Sequence, residues 1–338
     1  MEFRPKRAKF RSFVGKILPV RQSLPGGEDR RRAKCATLRH AGMTYCRRVT
    51  RSGKCLMSRW SGRLAGPFLF LLLAPAALAA DIDPHRALYS LTLASAKSGS
   101  GVLGASGAMY YEWGETCDGW TVEQRFRLRL MYAESGGSSL SSTLVTWESK
   151  DGLRYRFNER RLRNGEPDEE LHGEAHLDGP GKGGEAEFTK PTATKIALAP
   201  GVIFPTEHTL VLIDRAKAGD QFIARQVFDG SAVENATQIT AVIGPERQPG
   251  AASADKDADL QDKLAPETAA SPLLQHPGWR VRLAFFPPGS DSGAETPDYE
   301  LGMRLLANGV SQDMELDYGD YVIKARLDEI EPLAKPPC

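Results

Sequence analysis

Cysteine is scarce in this sequence of 338 residues. The chain has five cysteines, and three of them, Cys35, Cys46 and Cys55, come before residue 57. Only Cys117 and Cys338, the last residue, follow that point, and the sequence contains no C-x-x-C motif. The absence of that motif argues against a redox-active cysteine pair.

The sequence also lacks an apolar run long enough to span a bilayer comfortably. Its main apolar run, residues 64–73, follows Arg59 and Arg63 and precedes Ala77-Leu78-Ala79, which is the three-part build of a secretory signal peptide. Residues 57–80 are therefore predicted to be a cleavable signal peptide, with cleavage near Ala79 or Ala80. An uncleaved membrane anchor is the alternative.

Acidic residues are almost missing from the first 56 positions. Residues 1–56 contain 16 Lys and Arg residues against 3 Asp and Glu residues, and they show no apolar periodicity. A basic arm for nucleic acid is one interpretation, but such an arm makes little physical sense in front of an export signal. We expect translation to start at Met57 rather than Met1, or residues 1–56 to be a disordered basic leader.

Basic residues are in the minority in the rest of the chain. Residues 81–338 carry 26 basic and 40 acidic residues, which gives a net charge of −14. Such a surface repels nucleic acid and anionic head groups rather than attracting them, so no nucleic-acid partner is predicted. It also favours solubility.

The two remaining cysteines predict a disulfide. Two cysteines in an exported chain favour a bond between Cys117 and Cys338, because the compartment outside the cytoplasm is oxidising. The bond would close a loop of 221 residues, for which chain entropy gives an upper figure of about 5 kcal/mol. It would tie the C-terminal tail to an early hairpin.

Alternation with a period of two residues dominates residues 81–338. Trp120, Phe126 and Leu128 fall on one face of a strand whose other face carries Arg127 and Arg129. Six pairs break such runs with residues that suit tight hairpin turns: Asp118-Gly119, Asp151-Gly152, Asn164-Gly165, Asp178-Gly179, Asp229-Gly230 and Asn308-Gly309. The pattern predicts an all-β domain over 81–338, a many-stranded curved antiparallel sheet that is open or barrel-like.

Two segments depart from this alternation. Residues 206–218 are predicted to form one short helix, with Thr206 as its N-cap and Gly219 just beyond its end. Its apolar residues are bunched at 210–213, which indicates burial on several sides. Residues 246–277 are rich in Ala, Asp, Lys, Pro and Gln, and this composition predicts a flexible insertion between strands.

Motifs for catalysis and for cofactors are weak. The glycines of residues 99–104 match a dinucleotide fingerprint, but the aromatic segment that follows predicts a strand instead of the required helix. His172 and His176, with Glu169, Glu170 and Glu174 close by, have the wrong spacing for a metalloprotease site. No G-x-S-x-G elbow occurs. We therefore predict no catalytic residue, no metal and no cofactor.

Acidic residues near the C-terminus leave one alternative open. Carboxylates on alternating positions could serve a glycosidase-like hydrolase or a carbohydrate-binding β-sandwich, although a hairpin's solvated face explains them more simply. The residues concerned are Asp313, Glu315, Asp317 and Asp320.

Several ordered blocks resemble the EipB family of cell-envelope integrity proteins. These blocks are MYYEWGETCDGWTVEQRFRL, WESKDGLRYRF, PGVIFPTEHTLVLIDRA, VFDGS and YELGMRLLANGVSQDMELDYGDYVIKARLDEIEPL, with the terminal cysteine. The resemblance implies a periplasmic protein with a many-stranded antiparallel β-spiral and a disulfide between Cys117 and Cys338. It also implies a role in envelope maintenance with a partner that contains tetratricopeptide repeats. It rests on no catalytic signature.

Large aromatic residues recur on the apolar faces of the predicted strands. We predict that they line an apolar interior that accepts a lipid-like or protein ligand, so that the protein acts by binding rather than by catalysis. A closed core that is fully packed with side chains explains the same pattern and is the alternative. The residues are Trp120, Phe126, Trp279, Phe285 and Tyr299.

Overall fold

The computed structural model describes residues 81–134, 136–249, 264–287 and 296–338. The predicted leader at 1–56 and the predicted signal peptide at 57–80 lie outside these ranges. The helices are α1 (Pro205–Lys217) and α2 (Pro266–Ala269), and Pro272–Leu274 forms a 3-10 turn. The strands are β1 (His85–Ala96), β2 (Val102–Glu115), β3 (Gly119–Tyr132), β4 (Gly136–Ser149), β5 (Arg154–Arg163), β6 (Glu166–Leu177), β7 (Gly184–Lys190), β8 (Thr194–Leu198), β9 (Val202–Ile203), β10 (Phe222–Val227), β11 (Thr237–Arg247), β12 (Gly278–Phe286), β13 (Tyr299–Leu306), β14 (Ser311–Asp317) and β15 (Tyr321–Pro332).

All fifteen strands belong to one sheet. On one side of β1, strands β2 to β8 follow in sequence order. On its other side, the strands run in reverse order from β15 to β9. The first and last strands therefore pair in the middle of the sheet, with His85 opposite Pro332. Every neighbouring pair is antiparallel except β9 and β10, which are parallel. The predicted all-β antiparallel architecture is confirmed, with this one exception.

The turns lie where the sequence predicts them. Five of the six Asp-Gly and Asn-Gly pairs fall between two successive strands, and the sixth, Asp118-Gly119, ends at the first residue of β3. Asn164 and Gly165, between β5 and β6, have φ angles of 54° and 89°, a left-handed conformation that asparagine and glycine tolerate best. The glycine-rich stretch at 99–104 leads into strand β2 rather than into a helix, as predicted.

Inward-facing side chains pack into three clusters. The main core joins apolar residues of β1–β4, helix α1 and strands β10–β15. A second core, between β5–β8 and the segments that flank α1 and β10, contains Tyr155, Phe157, Phe188, Phe204 and Phe228. A third cluster joins Ile82, Trp113 and Trp120. Because both halves of the sheet contribute to the main core, the sheet curves into a nearly closed, barrel-like shell.

Helix α1 lies against the inner side of this shell. Leu212, Ile213 and Ala216 belong to the main core, and Leu210 packs on the third cluster. The predicted burial of the helix on more than one side is therefore confirmed. The prediction of Thr206 as N-cap is wrong, because Phe204 is the N-cap and Pro205 begins the helix. Proline suits that position because its fixed φ is helical and the first N–H has no intrahelical partner.

The insertion predicted at 246–277 is shorter in the structure. Strand β11 continues to Arg247, which pairs with Gly278. At the other end, α2 and the 3-10 turn are regular, and Leu273 and Leu274 are buried in the main core. The low apolar content that motivated the prediction belongs mainly to residues 250–263, which lie outside the described residues.

Candidate functional site

The predicted disulfide is present. Cys117, in the turn between β2 and β3, is bonded to Cys338, with their Cα atoms 5.6 Å apart. The tail that leads to Cys338 is also held by the N-terminal segment of the domain. The backbone N–H of Leu333 donates to Pro84 at 2.8 Å, and Lys335 forms an ion pair of 2.7 Å with Asp81. The disulfide therefore fixes the end of a tail that other contacts also hold close to the start of the domain.

The five aromatic residues predicted to line the interior do not form one surface. Phe126 and Trp279 are buried in the main core, and Phe285 packs against that core while stacking on Tyr299 at 4.2 Å between ring centres. Trp120 is buried in the third cluster, and Lys150 lies 3.1 Å from the centre of its ring. These contacts favour the packed-core alternative over an open apolar interior.

A buried carboxylate anchors the start of helix α1. The Oε2 atom of Glu148 accepts a hydrogen bond of 2.7 Å from the backbone N–H of Thr206, and its Oε1 atom accepts one of 2.8 Å from Glu207. Glu148 is 2% exposed, and burial raises the pKa of its carboxyl group to about 7, although these hydrogen bonds act in the opposite direction. Strand β4 thus supplies the cap that the helix's own sequence lacks.

A second buried titratable group lies in the same helix. His208 is 5% exposed, and its Nε2 atom has no hydrogen-bond partner among the described residues. Burial lowers the pKa of its imidazole to about 4, and the nearby charge of Arg225 acts in the same direction. The imidazole is therefore neutral near pH 7, which is the form that costs least to bury.

Charged residues also occupy the inner face of the sheet at β5. The Nε and Nη2 atoms of Arg161 each donate to Glu159 at 2.8 Å, and Nη2 also donates to the carbonyl of Ser231 at 2.7 Å. Nη1 pairs with Glu169, and Ser142 donates to Glu159. Each nitrogen atom of this guanidinium therefore forms at least one hydrogen bond. The network joins β4, β5, β6 and the β10–β11 loop and leaves little capacity for a ligand.

This network was missed by the sequence analysis although a signal was present. Strand β5 alternates buried and exposed residues, and Glu159 and Arg161 share the register of Tyr155 and Phe157. Two opposite charges on an apolar face indicate a buried ion pair. No comparable signal marked Glu148, since its partner is the backbone of a distant helix.

Two of the acidic residues near the C-terminus, Glu315 and Asp317, have local partners. Glu315 lies within 3.6 Å of Arg280 and 3.9 Å of Lys324, while Asp317 accepts a hydrogen bond from the backbone of Gly319 in the following turn. Ion pairs and turn formation therefore explain these two carboxylates. Glu300 lies directly opposite Asp317 across β13 and β14, and it forms an ion pair of 3.0 Å with Arg282, so ion pairing and turn formation account for these two facing acids as well.

The two histidines considered as metal ligands are separate on β6. His172 lies 3.4 Å from Glu170, and His176 lies 4.0 Å from Asp178. Within the ranges that the structure describes, no group of three or more His, Cys, Asp or Glu side chains is arranged to hold a metal ion. Each histidine therefore has a local carboxylate neighbour rather than a shared ligand set.

A small surface cleft lies where the C-terminal tail crosses the start of the domain. Its volume is about 240 Å³, which is below the usual range for pockets that hold small organic ligands. Three prolines and two leucines line it together with three titratable residues. It is lined by Asp83, Pro84, Pro272, Leu273, His276, Pro332, Leu333 and Lys335.

Comparisons with known proteins agree with this architecture. A family model described as EipB-like matches residues 76–334. The chain belongs to the EipB-like family. Among the relatives of this EipB-like chain is the cell envelope integrity protein EipB of Brucella abortus (strain 2308). The two are 29% identical over 290 residues, which cover 86% of this chain and 95% of that protein.

A solved structure supports the fold of this EipB-like chain. It is similar, with a TM-score of 0.64 and 28% identity, to the crystal structure of a beta-barrel-like protein of the domain of unknown function DUF1849 from Brucella abortus. The match covers 76% of this chain and 100% of the other. Among the residues described for this EipB-like chain, no helix has the length and apolarity to cross a membrane.

Proposed function

We propose that this protein supports the integrity of the cell envelope as a non-catalytic, periplasmic binding protein. The observation that carries the proposal is the similarity to a Brucella abortus protein described as a cell envelope integrity protein, which extends over 95% of that protein's length. The segment predicted as a signal peptide at 57–80 supports export, and the disulfide suits an oxidising compartment.

Binding is proposed to use the outer surface of the sheet. The predicted interior residues pack against one another and against α1. The cleft described above is small, and the buried charges of Arg161 and Glu159 are paired with each other. An outer face therefore offers a partner more accessible area than the interior does. The ligand is either lipid-like or a protein, and the resemblance to the EipB family adds a tetratricopeptide-repeat protein as a specific candidate.

Deletion and complementation test the envelope role. Cells that lack the protein should become sensitive to detergents and to antibiotics that act on the cell wall, and the wild-type gene should restore resistance. Unchanged sensitivity in the deletion strain would contradict the proposal. Recovery of a tetratricopeptide-repeat protein with the chemically crosslinked wild type, and not with an unrelated periplasmic bait, would support the protein-partner candidate.

The same strain tests the alternative of an exported hydrolase. No contact described above favours that alternative, so Asp313→Asn, Asp317→Asn and Asp320→Asn should each restore resistance as well as the wild type does. If one variant were folded and abundant yet failed to restore resistance, the non-catalytic proposal would give way to the hydrolase. Abundance is checked by immunoblotting, and folding by resistance to proteolysis.

A further inference from the structure

The outer face of β3 carries a row of positive charge. Arg125, Arg127 and Arg129 alternate with Phe126 and Leu128, which are buried in the main core. Because side chains alternate along a strand, the three guanidinium groups leave the same face of the sheet at intervals of about 7 Å. They form a line of positive charge along the outside of a domain whose net charge is −14.

Two of the three arginines have no ion-pair partner among the described residues. Arg125 pairs with Glu123, and its guanidinium lies 5.5 Å from the centre of the Tyr110 ring. Arg127 and Arg129 are exposed, and neither forms an ion pair with any residue in the described part of the chain. Arg86, Arg163 and Arg282, by contrast, each form an ion pair with a carboxylate.

The flanking strands leave these arginines uncovered. Arg127 lies between Ala108 on β2 and Ser141 on β4, and Arg129 lies between Ser106 and Ser139 in the same way. Side chains directly opposite one another on neighbouring strands are close enough to interact. These four neighbours are short and uncharged, so they neither neutralise nor shield the guanidinium groups.

An apolar tip continues the row of arginines. Met131 is the next outward residue of β3 and is 52% exposed. On β2, Gly104 pairs with Met131. Leu103 lies in the bulge just before Gly104 and is 68% exposed. The turns at this end carry Lys97 and Glu134, and the adjacent β14–β15 turn carries Asp320, whose carbonyl accepts a hydrogen bond of 2.8 Å from the backbone N–H of Lys97. Two large apolar side chains in water beside two free guanidinium groups are typical of a surface that meets a lipid interface.

We propose that this face, defined as Leu103, Arg125, Arg127, Arg129 and Met131, docks the protein on an anionic membrane surface. The guanidinium groups bind lipid phosphates, while the two apolar side chains enter the boundary between head groups and acyl chains. The negative charge of the rest of the domain sets the orientation, because an anionic surface repels it. The proposal deepens the proposed function, since it specifies the lipid-like ligand left open there.

The apolar tip decides between a membrane and a soluble polyanion. A dissolved anionic polymer would use the arginines but would gain nothing from Leu103 and Met131, which would stay in water. A membrane uses both, since apolar burial adds to the attraction between basic residues and anionic lipids. Binding to a membrane should therefore keep a part that salt does not remove.

Sedimentation with vesicles tests the proposal directly. The mature protein, purified from the periplasm, is mixed with vesicles of phosphatidylethanolamine that contain about 30% phosphatidylglycerol, or none, since anionic lipid is what attracts basic residues. We expect binding to the anionic vesicles and not to the neutral ones, with partial loss as salt rises. Arg127→Gln/Arg129→Gln should weaken this binding roughly 25-fold, because each basic residue near such a surface contributes about fivefold.

Two further variants separate the contributions. Arg282→Gln/Arg326→Gln removes the same charge from arginines that are paired with Glu300 and Asp328, and it should bind as the wild type does. Leu103→Ser/Met131→Ser should remove the salt-resistant part of binding while the dependence on anionic lipid remains. If both arginine variants lost the same amount of vesicle binding, net charge rather than this face would explain the effect. That result would overturn the proposal.

The remaining outcomes distinguish this proposal from the envelope role. A wild-type protein that ignores anionic vesicles overturns membrane docking, even if the deletion strain is sensitive to detergents. If free inorganic phosphate at millimolar concentration displaced the protein completely, the face would be a site for soluble anions, which also overturns it. If the Arg127→Gln/Arg129→Gln variant failed to protect cells while the wild type bound no vesicles, the face would dock a protein instead.

Discussion

The carboxylate of Glu148 on β4 accepts a hydrogen bond of 2.7 Å from the backbone N–H of Thr206, in the first turn of α1. The two residues are 58 positions apart in sequence, and the bond joins a strand to the helix inside the shell. It combines a helix cap with a buried titratable group. The stability of the protein should therefore depend on pH through this contact.

Glu148 and His208 should make opposite contributions to that dependence. The pKa of Glu148 is raised from 4.5 to about 7 by burial, so the folded protein binds this proton more tightly and stability falls as pH rises through that interval. The pKa of His208 is lowered from 6.5 to about 4 by burial, so stability falls as pH drops through that interval. Between pH 4.5 and 6.5 the two effects largely cancel.

Glu148→Gln should reveal the contribution of His208 to the pH dependence of stability. Relative to the variant, the wild type should lose on the order of 3 kcal/mol of unfolding free energy between pH 4.5 and pH 7, because a shift of one pKa unit is worth about 1.4 kcal/mol. The variant itself should lose stability as pH falls from 6.5 towards 4. Urea denaturation at a series of pH values measures both effects. A difference between the two proteins that did not change with pH would contradict the assignment.

Cys338→Ser should lower the free energy of unfolding by about 2–5 kcal/mol without changing the fold. The loss arises because the unfolded chain is no longer constrained by a loop of 221 residues. Urea denaturation measures it, and addition of a reductant should bring the wild type to the level of the variant and leave the variant unchanged. Peptide mapping without reductant that found both thiols free would refute the bond.

Arg161→Met should destabilise the protein by about 3–5 kcal/mol, because it leaves the buried carboxylate of Glu159 without its charged partner. Glu159→Gln/Arg161→Met should regain a large part of that loss, since no buried charge remains unpaired. Chemical denaturation at pH 8 compares the three proteins. If the double variant were no more stable than Arg161→Met, the shape of the two side chains rather than their charge would explain the effect.

The mature protein should begin near Ala80 or Asp81. The reason is the small-residue site Ala77-Leu78-Ala79 after the apolar run at 64–73. Sequencing of the N-terminus of protein from the periplasm decides this. Retention of any residue before Met57 would contradict both the cleavage site and the proposed start of translation.

The strands could be predicted because their signal is local. In β3, the apolar residues Phe126, Leu128 and Leu130 alternate with exposed or half-buried residues, and that period follows from the geometry of a strand whose one face is buried. The same reasoning located the turns, where Asn164 and its neighbouring glycine adopt positive φ angles. The disulfide followed from elimination among five cysteines, once three had been assigned to the leader.

Contacts between distant segments could not be predicted in the same way. The prediction of Thr206 as N-cap was wrong because a hydroxyl at the start of an apolar run suggests a local cap, whereas Glu148 reaches the helix through the curvature of the sheet. Burial of Leu273 and Leu274 likewise depends on the core beneath them rather than on the polar composition around them. Whether Arg127 and Arg129 are paired could be seen only once the register of β2, β3 and β4 was known.

The pairing of the first strand with the last has a consequence for the order of folding. The partner of His85, Pro332, lies 247 positions further along the chain, so β1 keeps an unpaired edge for as long as the chain is incomplete. Strands β2 to β8 can assemble on the other edge of β1 from neighbours in sequence, which needs only short loop closures. The pairing of β15 with β1 is the most non-local in the sheet, so its loop closure costs the most chain entropy. A nascent chain that crosses a membrane N-terminus first thus carries an open template for association until its last segment emerges, and this interval is where a chaperone of exported proteins would act.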